Sequence, residues 1–196
     1  MPALRIEEAK RLGLKESTTW SGGAVTNVQH LLGMFIPESK AVGTFVRRAN
    51  VDDYVTATGG KATDISAIAQ WTERKFRPAH RPDAPFFTGK VAVLVNRFSA
   101  SASEIAAAAL HDSLGAPIVG TKSAGAVLAS IIVPASNGYM LQFPIQDYVT
   151  ANGVRLEGNG VTPDFEVSEP IIAKKGSPDA VIEKACSVLS HPGSVK

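Results

Sequence analysis

A mixed sheet with flanking helices, an α/β fold, is predicted by three features of the 196-residue sequence. A continuous apolar run, Val91-Ala92-Val93-Leu94-Val95, leads through a serine-rich corner into an alanine-rich stretch ending near Leu114. A second short apolar run begins after Pro117 and ends at Gly120. Strand, helix and strand at that spacing form a βαβ unit, which demands parallel pairing. Two Asn-Gly pairs, Asn137-Gly138 and Asn152-Gly153, then sit between alternating apolar residues. Both positions of such a turn need positive φ, so each pair marks an antiparallel hairpin.

The elements follow in chain order. Leu4, Ile6, Ala9 and Leu12 recur at helical intervals, and Gly13 ends that helix. A polar stretch reaches Gly22-Gly23, and a second helix is expected over Ala24 to Met34, with Val25, Val28, Leu31 and Leu32 on one face and Pro37 closing it. Val42 to Val46 reads as a strand, and Asp52 to Thr58 as another. Asp64 can cap a helix carrying Ile65, Ile68, Ala69 and Trp71. Residues 77–89 hold three prolines and few periodic apolar positions, as an extended surface connection would. The run at Val91–Val95 has the continuous apolar character of a strand buried on both faces. Gly115 is the natural stop for the following helix, and Ser177-Pro178 offers a cap and a first-turn proline for a final one.

Composition narrows the function. Hydrophobic residues make up 44% of the chain, enough for one domain with a core, and one domain over 1–196 is the expectation. Charged residues are 19% and the net charge is +2, with only sparse basic features such as Arg47-Arg48 and Arg74-Lys75. That gives no electrostatic case for nucleic acid. No run of about 18 apolar residues occurs, so no membrane span is expected. The single cysteine, Cys186, excludes an internal disulfide and a Cys-based zinc site; beside Ile182, Ala185 and Leu189 it reads as a small core residue. His30, His80, His111 and His191 make no pair at metal-ligand spacing, so neither metal nor cofactor is expected. His30 reads as a surface or core-edge residue, and His80 and His191 as solvated. The first residues do not read as a signal peptide, and the compartment is left open.

Chemistry concentrates where the first strand of the βαβ unit meets its helix, at Ser99, Ser101 and Ser103. Ser101 followed by Glu104 fits a capping box, in which the hydroxyl satisfies an orphan amide. The same corner also suits a nucleophile. Unpaired amides and the positive end of the helix dipole stabilise an alkoxide and the oxyanion formed after attack, provided a base lies in reach. Spacing alone leaves both readings open.

The string from Val93 through Asn96-Arg97-Phe98-Ser99-Ala100-Ser101-Ala102-Ser103-Glu104 to Ile105 resembles the nucleophile motif of the tail-specific, or C-terminal processing, serine proteases. Ile118-Val119-Gly120-Thr121-Lys122-Ser123-Ala124-Gly125 is similar to that family's next strand and loop. Leu156-Glu157-Gly158-Asn159-Gly160-Val161-Thr162-Pro163-Asp164 is similar to its closing motif. The resemblance implies a ClpP/crotonase-like fold and acyl transfer on a polypeptide, near its C-terminus, bound by strand addition. It implies Ser101 as nucleophile, the Ala102 amide as one oxyanion donor and Gly22-Gly23 as the source of another. A homo-oligomer is one alternative for the assembly.

The chain departs from the pattern at the general base. Commonest members carry a lysine 25 residues after the serine, and here that position is Ala126. Lys122 lies four positions early, on the strand exit, and is not promoted to base. His111 is ten residues down the same helix, roughly 15 Å from Ser101 at about 1.5 Å per residue. The absence of lysine resembles a tricorn-like branch, in which an upstream segment supplies a histidine and a glutamate, here Glu157, assists. Glu157 also reads as an exposed charge beside a turn, and Asp112, Asp147 and Asp164 as caps or turn formers. Polar residues Lys15 to Ser21 stand where the family has an apolar strand, and no peptide-binding PDZ-like stretch is seen, so a fragment or a short member is expected. Three functions stay open: an active serine peptidase, an inactive peptide- or ligand-binding module, and thioester chemistry on the same fold.

Overall fold

The computed structural model describes residues 23–80, 85–168 and 179–190. The expected helix at Leu4 to Leu14, Gly22, the cap pair Ser177-Pro178 and His191 lie outside them. The described elements run α1 (Val25–Leu32), β1 (Gly43–Arg47), α2 (Arg48–Thr58), α3 (Ile65–Trp71), β2 (Val93–Val95), α4 (Ala102–Leu114), β3 (Ile118–Gly120), β4 (Ala129–Pro134), β5 (Met140–Thr150), β6 (Phe165–Glu166) and α5 (Ala180–Ser190).

They build two three-stranded sheets. In one, β2, β3 and β6 lie side by side and parallel, Val93 opposite Ile118 and Val119 opposite Phe165. In the other, β5 runs antiparallel between β1 and β4. The βαβ unit is therefore β2-α4-β3, with Gly115 ending α4 in the left-handed conformation at φ 65°. Gly120 makes the close β2–β3 approach possible: a Cβ there would lie 2.0 Å from the Val95 carbonyl oxygen.

The principal core lies between α1, α4 and β5. Leu32, Ile36, Val42, Ile105, Leu110 and Ile118 are buried in it. Phe45, Phe76 and Tyr148 pack ring to ring at its edge, with centroids 5.0 to 6.2 Å apart. The Tyr148 hydroxyl donates to the Val42 carbonyl over 2.8 Å. Burial, and secondarily the Asp112 charge, pushes this phenol well above its ordinary range.

Several expectations need correction. Asp52 to Thr58 is helix, not strand. The side chain of Asn50 accepts from the Arg47 amide over 2.9 Å at the start of α2, and Gly59 ends it at φ 68°. Those two stops outweigh the strand propensity of Tyr54, Val55 and Thr56. Val93 and Leu94 are only half-buried, and no described strand pairs with the outer edge of β2. The turn at Asn137-Gly138 joins β4 to β5, whereas Asn152-Gly153 closes a single bridge, Val149 to Arg155. Cys186 is exposed; Val181, Ala185 and Val188 carry the buried face of α5. The amides of Val181 and Ile182 are capped by Asp179. His80 is half-buried, stacked on Phe86 at 4.1 Å with Nδ1 2.8 Å from the Gly33 carbonyl.

Candidate active site

β2 ends at Val95, and six residues later the chain turns into α4 through Ser101. Ser101 has φ 56° and ψ −122°, a backbone conformation that non-glycine residues avoid. Such a state costs on the order of 1–3 kcal/mol and survives only where its surroundings enforce it. Two acceptors do so here. The Ser101 amide donates to the Ala126 carbonyl at 2.8 Å and to Glu104 Oε2 at 3.0 Å. The Glu104 side of the capping box thus forms, within a larger network.

Glu104 is completely buried. Its Oε1 accepts from the Ser123 hydroxyl at 2.5 Å and the Gly125 amide at 2.7 Å, and its Oε2 from the Ala126 amide at 3.0 Å as well as from Ser101. Ser123 Oγ in turn accepts from the Val161 amide at 2.6 Å. One carboxylate therefore joins the serine corner, the loop after β3 and the segment before β6. Four donors offset the cost of burying its charge. In the sequence alone Glu104 reads only as a helix cap. The available signal was a lone carboxylate ahead of Ile105 and the alanines of an otherwise apolar helix face.

Ala102 is the first residue of α4, so its N–H belongs to the first turn, whose amides have no acceptor within the helix. Ala102, Ser99 and Ser103 line a cleft of about 480 Å³ between α1, β2 and α4, and Gly23 lines it from the other side. Val28, Val93 and Leu110 give the cleft its apolar character. Two of the three residues expected to supply oxyanion donors thus face one cavity beside the serine corner, and the third, Gly22, is not described.

Ala126 is exposed, and its backbone meets the Ser101 amide directly. Lys122 is exposed too. Glu157 Oε2 accepts from the Val127 and Leu128 amides at 2.8 and 3.2 Å, so it anchors the chain just beyond Ala126. His111 stands near the far end of α4, its Nε2 3.5 Å from Asp164 Oδ1 and its Nδ1 3.4 Å from Asp112 Oδ1. Asp164 also accepts from the Ile118 amide at 2.7 Å, and Asp147 pairs with Arg155 at 2.7 Å. His30 is exposed on α1. Among the described residues, no three His, Cys, Asp or Glu side chains gather as a metal site, and no helix is long and apolar enough to cross a membrane.

A parallel βαβ corner presenting a serine, joined to an antiparallel sheet, defines the class: an α/β protein of the ClpP/crotonase type. The chain belongs to peptidase family S41, whose pattern matches residues 20–167. It is 40% identical over 84 residues to the carboxy-terminal-processing protease of Bartonella bacilliformis, covering 43% of this chain and 19% of that protein. It is 31% identical over 152 residues to the carboxyl-terminal-processing protease of Synechocystis, covering 78% of this chain and 30% of that one. Its fold is similar to a solved photosystem II D1 C-terminal processing protease, with a TM-score of 0.54 at 23% identity over 86% of this chain and 36% of the other. The matched region spans only about a fifth to a third of those curated relatives.

Proposed function

We propose that the chain carries the nucleophile of a serine peptidase acting on polypeptides near their C-termini, with Ser101 as that nucleophile. One observation carries the reading. Ser101 is held at a positive φ by two acceptors, at a helix N-terminus, next to Ala102, which with Gly23 lines an apolar cleft. Ser101 Oγ bonds to the scissile carbonyl carbon and gives its proton to a base. The amides of Ala102 and of Gly23, or its neighbour Gly22, hold the developing oxyanion. Collapse breaks the C–N bond, the amine leaves with the proton, and water then cleaves the ester.

The base is the element that the described residues of this corner do not provide. Alanine at 126 cannot take a proton, and the Glu104 carboxylate is committed to four donors. We place the base on a histidine delivered by a second polypeptide or by a longer form of this one, as in the lysine-lacking, tricorn-like branch. Glu157 then assists by fixing the loop at Val127 and Leu128. The test is turnover of an unstructured polypeptide, read by the mass of its fragments. Fragments from the wild type and none from Ser101→Ala support the reading; equal fragments from both overturn it.

A second reading has its own support in the apolar lining of the cleft and in Ala126: an inactive module that binds peptides. It predicts no fragments from either protein, together with saturable binding of the same polypeptide by both.

A further inference from the structure

Ser123, in the loop after β3, carries a buried hydroxyl that the proposed chemistry does not use. Its bonding has a fixed direction. The Val161 amide can only donate, and it reaches Ser123 Oγ at 2.6 Å. The Ser123 proton is left for Glu104 Oε1, 2.5 Å away. Glu104 Oε2 accepts from the amides of Ser101 and Ala126, and the Ala126 carbonyl accepts from Ser101 in turn. A chain of donors therefore runs from Val161 through Ser123 and Glu104 to the backbone of Ser101. Bonds linked in this way polarise one another, so the loss of one weakens the rest.

The backbone makes the same connection. The Ser123 amide donates to the Val161 carbonyl at 3.1 Å, and the Gly158 amide to the Gly125 carbonyl at 2.8 Å. On the other side of the loop, the Ala124 amide donates to the Ser99 carbonyl at 2.9 Å. A Cβ on Gly160 would lie 2.8 Å from the Ser123 carbonyl oxygen, so residues 156–161 rest directly on this loop. Ser101 keeps an avoided φ only while such neighbours enforce it. We infer that Ser123 is a positioning residue for Ser101: its hydroxyl transmits the placement of residues 156–161 to the serine corner. The coupling is a property of the backbone; its chemical consequence rests on Ser101 being the nucleophile. An alanine at 123 leaves the Val161 amide without its side-chain acceptor and removes one of the four donors to Glu104.

The experiment compares the wild type, Ser123→Ala and Ser123→Cys with Ile68→Val, a core change in the separate cluster of Val46, Ala69 and Val149. Circular dichroism establishes folding and the melting temperature of each. Two readouts follow: the amide proton chemical shift of Ser101, and the rate at which a fluorophosphonate labels Ser101, mapped by peptide mass. Ser123→Ala is expected to move the Ser101 amide upfield, as a weakened hydrogen bond does, and to slow labelling about tenfold, in keeping with the loss of one hydrogen bond to a charged group. Ser123→Cys keeps the size of the side chain with a weaker donor and acceptor, and should shift both readouts the same way by less. Ile68→Val is expected to lower the melting temperature and to leave both readouts unchanged. A Ser101 resonance that stays in place in folded Ser123→Ala overturns the inference; if that variant does not fold, the same result in Ser123→Cys does so. Equal changes in Ile68→Val also overturn it, because they would trace to lost stability. A resonance that moves while the wild type takes no label at Ser101 supports the coupling and contradicts the nucleophile assignment instead.

Discussion

The backbone amide of Ser101 donates to the carbonyl of Ala126 across 2.8 Å. The serine is thereby tied to the one residue whose side chain, lysine in the commonest members this sequence resembles, is missing as a base. Because Ala126 is exposed, a longer side chain there meets no packed core. Ala126→Lys is therefore expected to fold and to raise the rate of Ser101 modification or turnover by about 10²–10⁴-fold, the usual contribution of a positioned base. Rates measured from pH 6 to 10 should climb as the new amine loses its proton. A variant that folds and gains nothing would show that the corner lacks more than its base.

Glu104 sets the stability of the corner. Glu104→Gln preserves shape but turns an amide NH₂ toward N–H and O–H donors, so at least one of Ser101, Ser123, Gly125 and Ala126 loses its acceptor. Buried donors without partners cost about 1–3 kcal/mol each. A loss of about 3 kcal/mol is expected for Glu104→Gln, measured as the shift in urea midpoint, and more for Glu104→Ala.

Glu157 has a different signature. Its carboxylate is half-buried and holds two amides, so Glu157→Ala is expected to cost about 1 kcal/mol and to slow turnover by loosening the loop beyond Ala126. Glu157→Gln keeps an acceptor and should restore most of that rate. Comparing kcat for the two variants checks this; a Gln variant as slow as the Ala variant would assign the carboxylate charge itself to the reaction.

Tyr148 gives a pH dependence. Its folded pKa is raised, so the folded state retains a proton that the unfolded chain releases near its ordinary value of about 10. The associated stability is full below pH 10 and falls as pH rises beyond it. Tyr148→Phe is expected to lose about 1 kcal/mol at pH 7, through the unpaired Val42 carbonyl, and to show a shallower decline between pH 10 and 11. Thermal melts at the two pH values measure both effects.

Much of this was legible in the residues themselves. Gly115 and the Asn137-Gly138 pair occupy positive-φ positions that few other residues tolerate, so the ends of α4 and the β4–β5 turn could be read directly. Ser101 was singled out by motif; its strained backbone depends on the distant Ala126 carbonyl as well as on the local partner Glu104. Glu104 was underestimated because three of its four donors come from the loop after β3, about 20 residues away. The helix at Arg48–Thr58 was missed because strand-favouring side chains filled a segment whose two stops are local and weak in sequence. Cys186 was misplaced for a related reason: helical spacing fixes a face, and the packing of α5 chose a neighbouring one.

The most direct test of the central claim is labelling with a fluorophosphonate probe, followed by mapping of the modified residue. Ser101 is predicted to carry the label, Ser101→Ala to abolish it and Ser103→Ala to retain it, with Ala126→Lys raising the rate. Label on another serine, or none in a folded Ala126→Lys protein, would contradict the assignment of Ser101 as nucleophile.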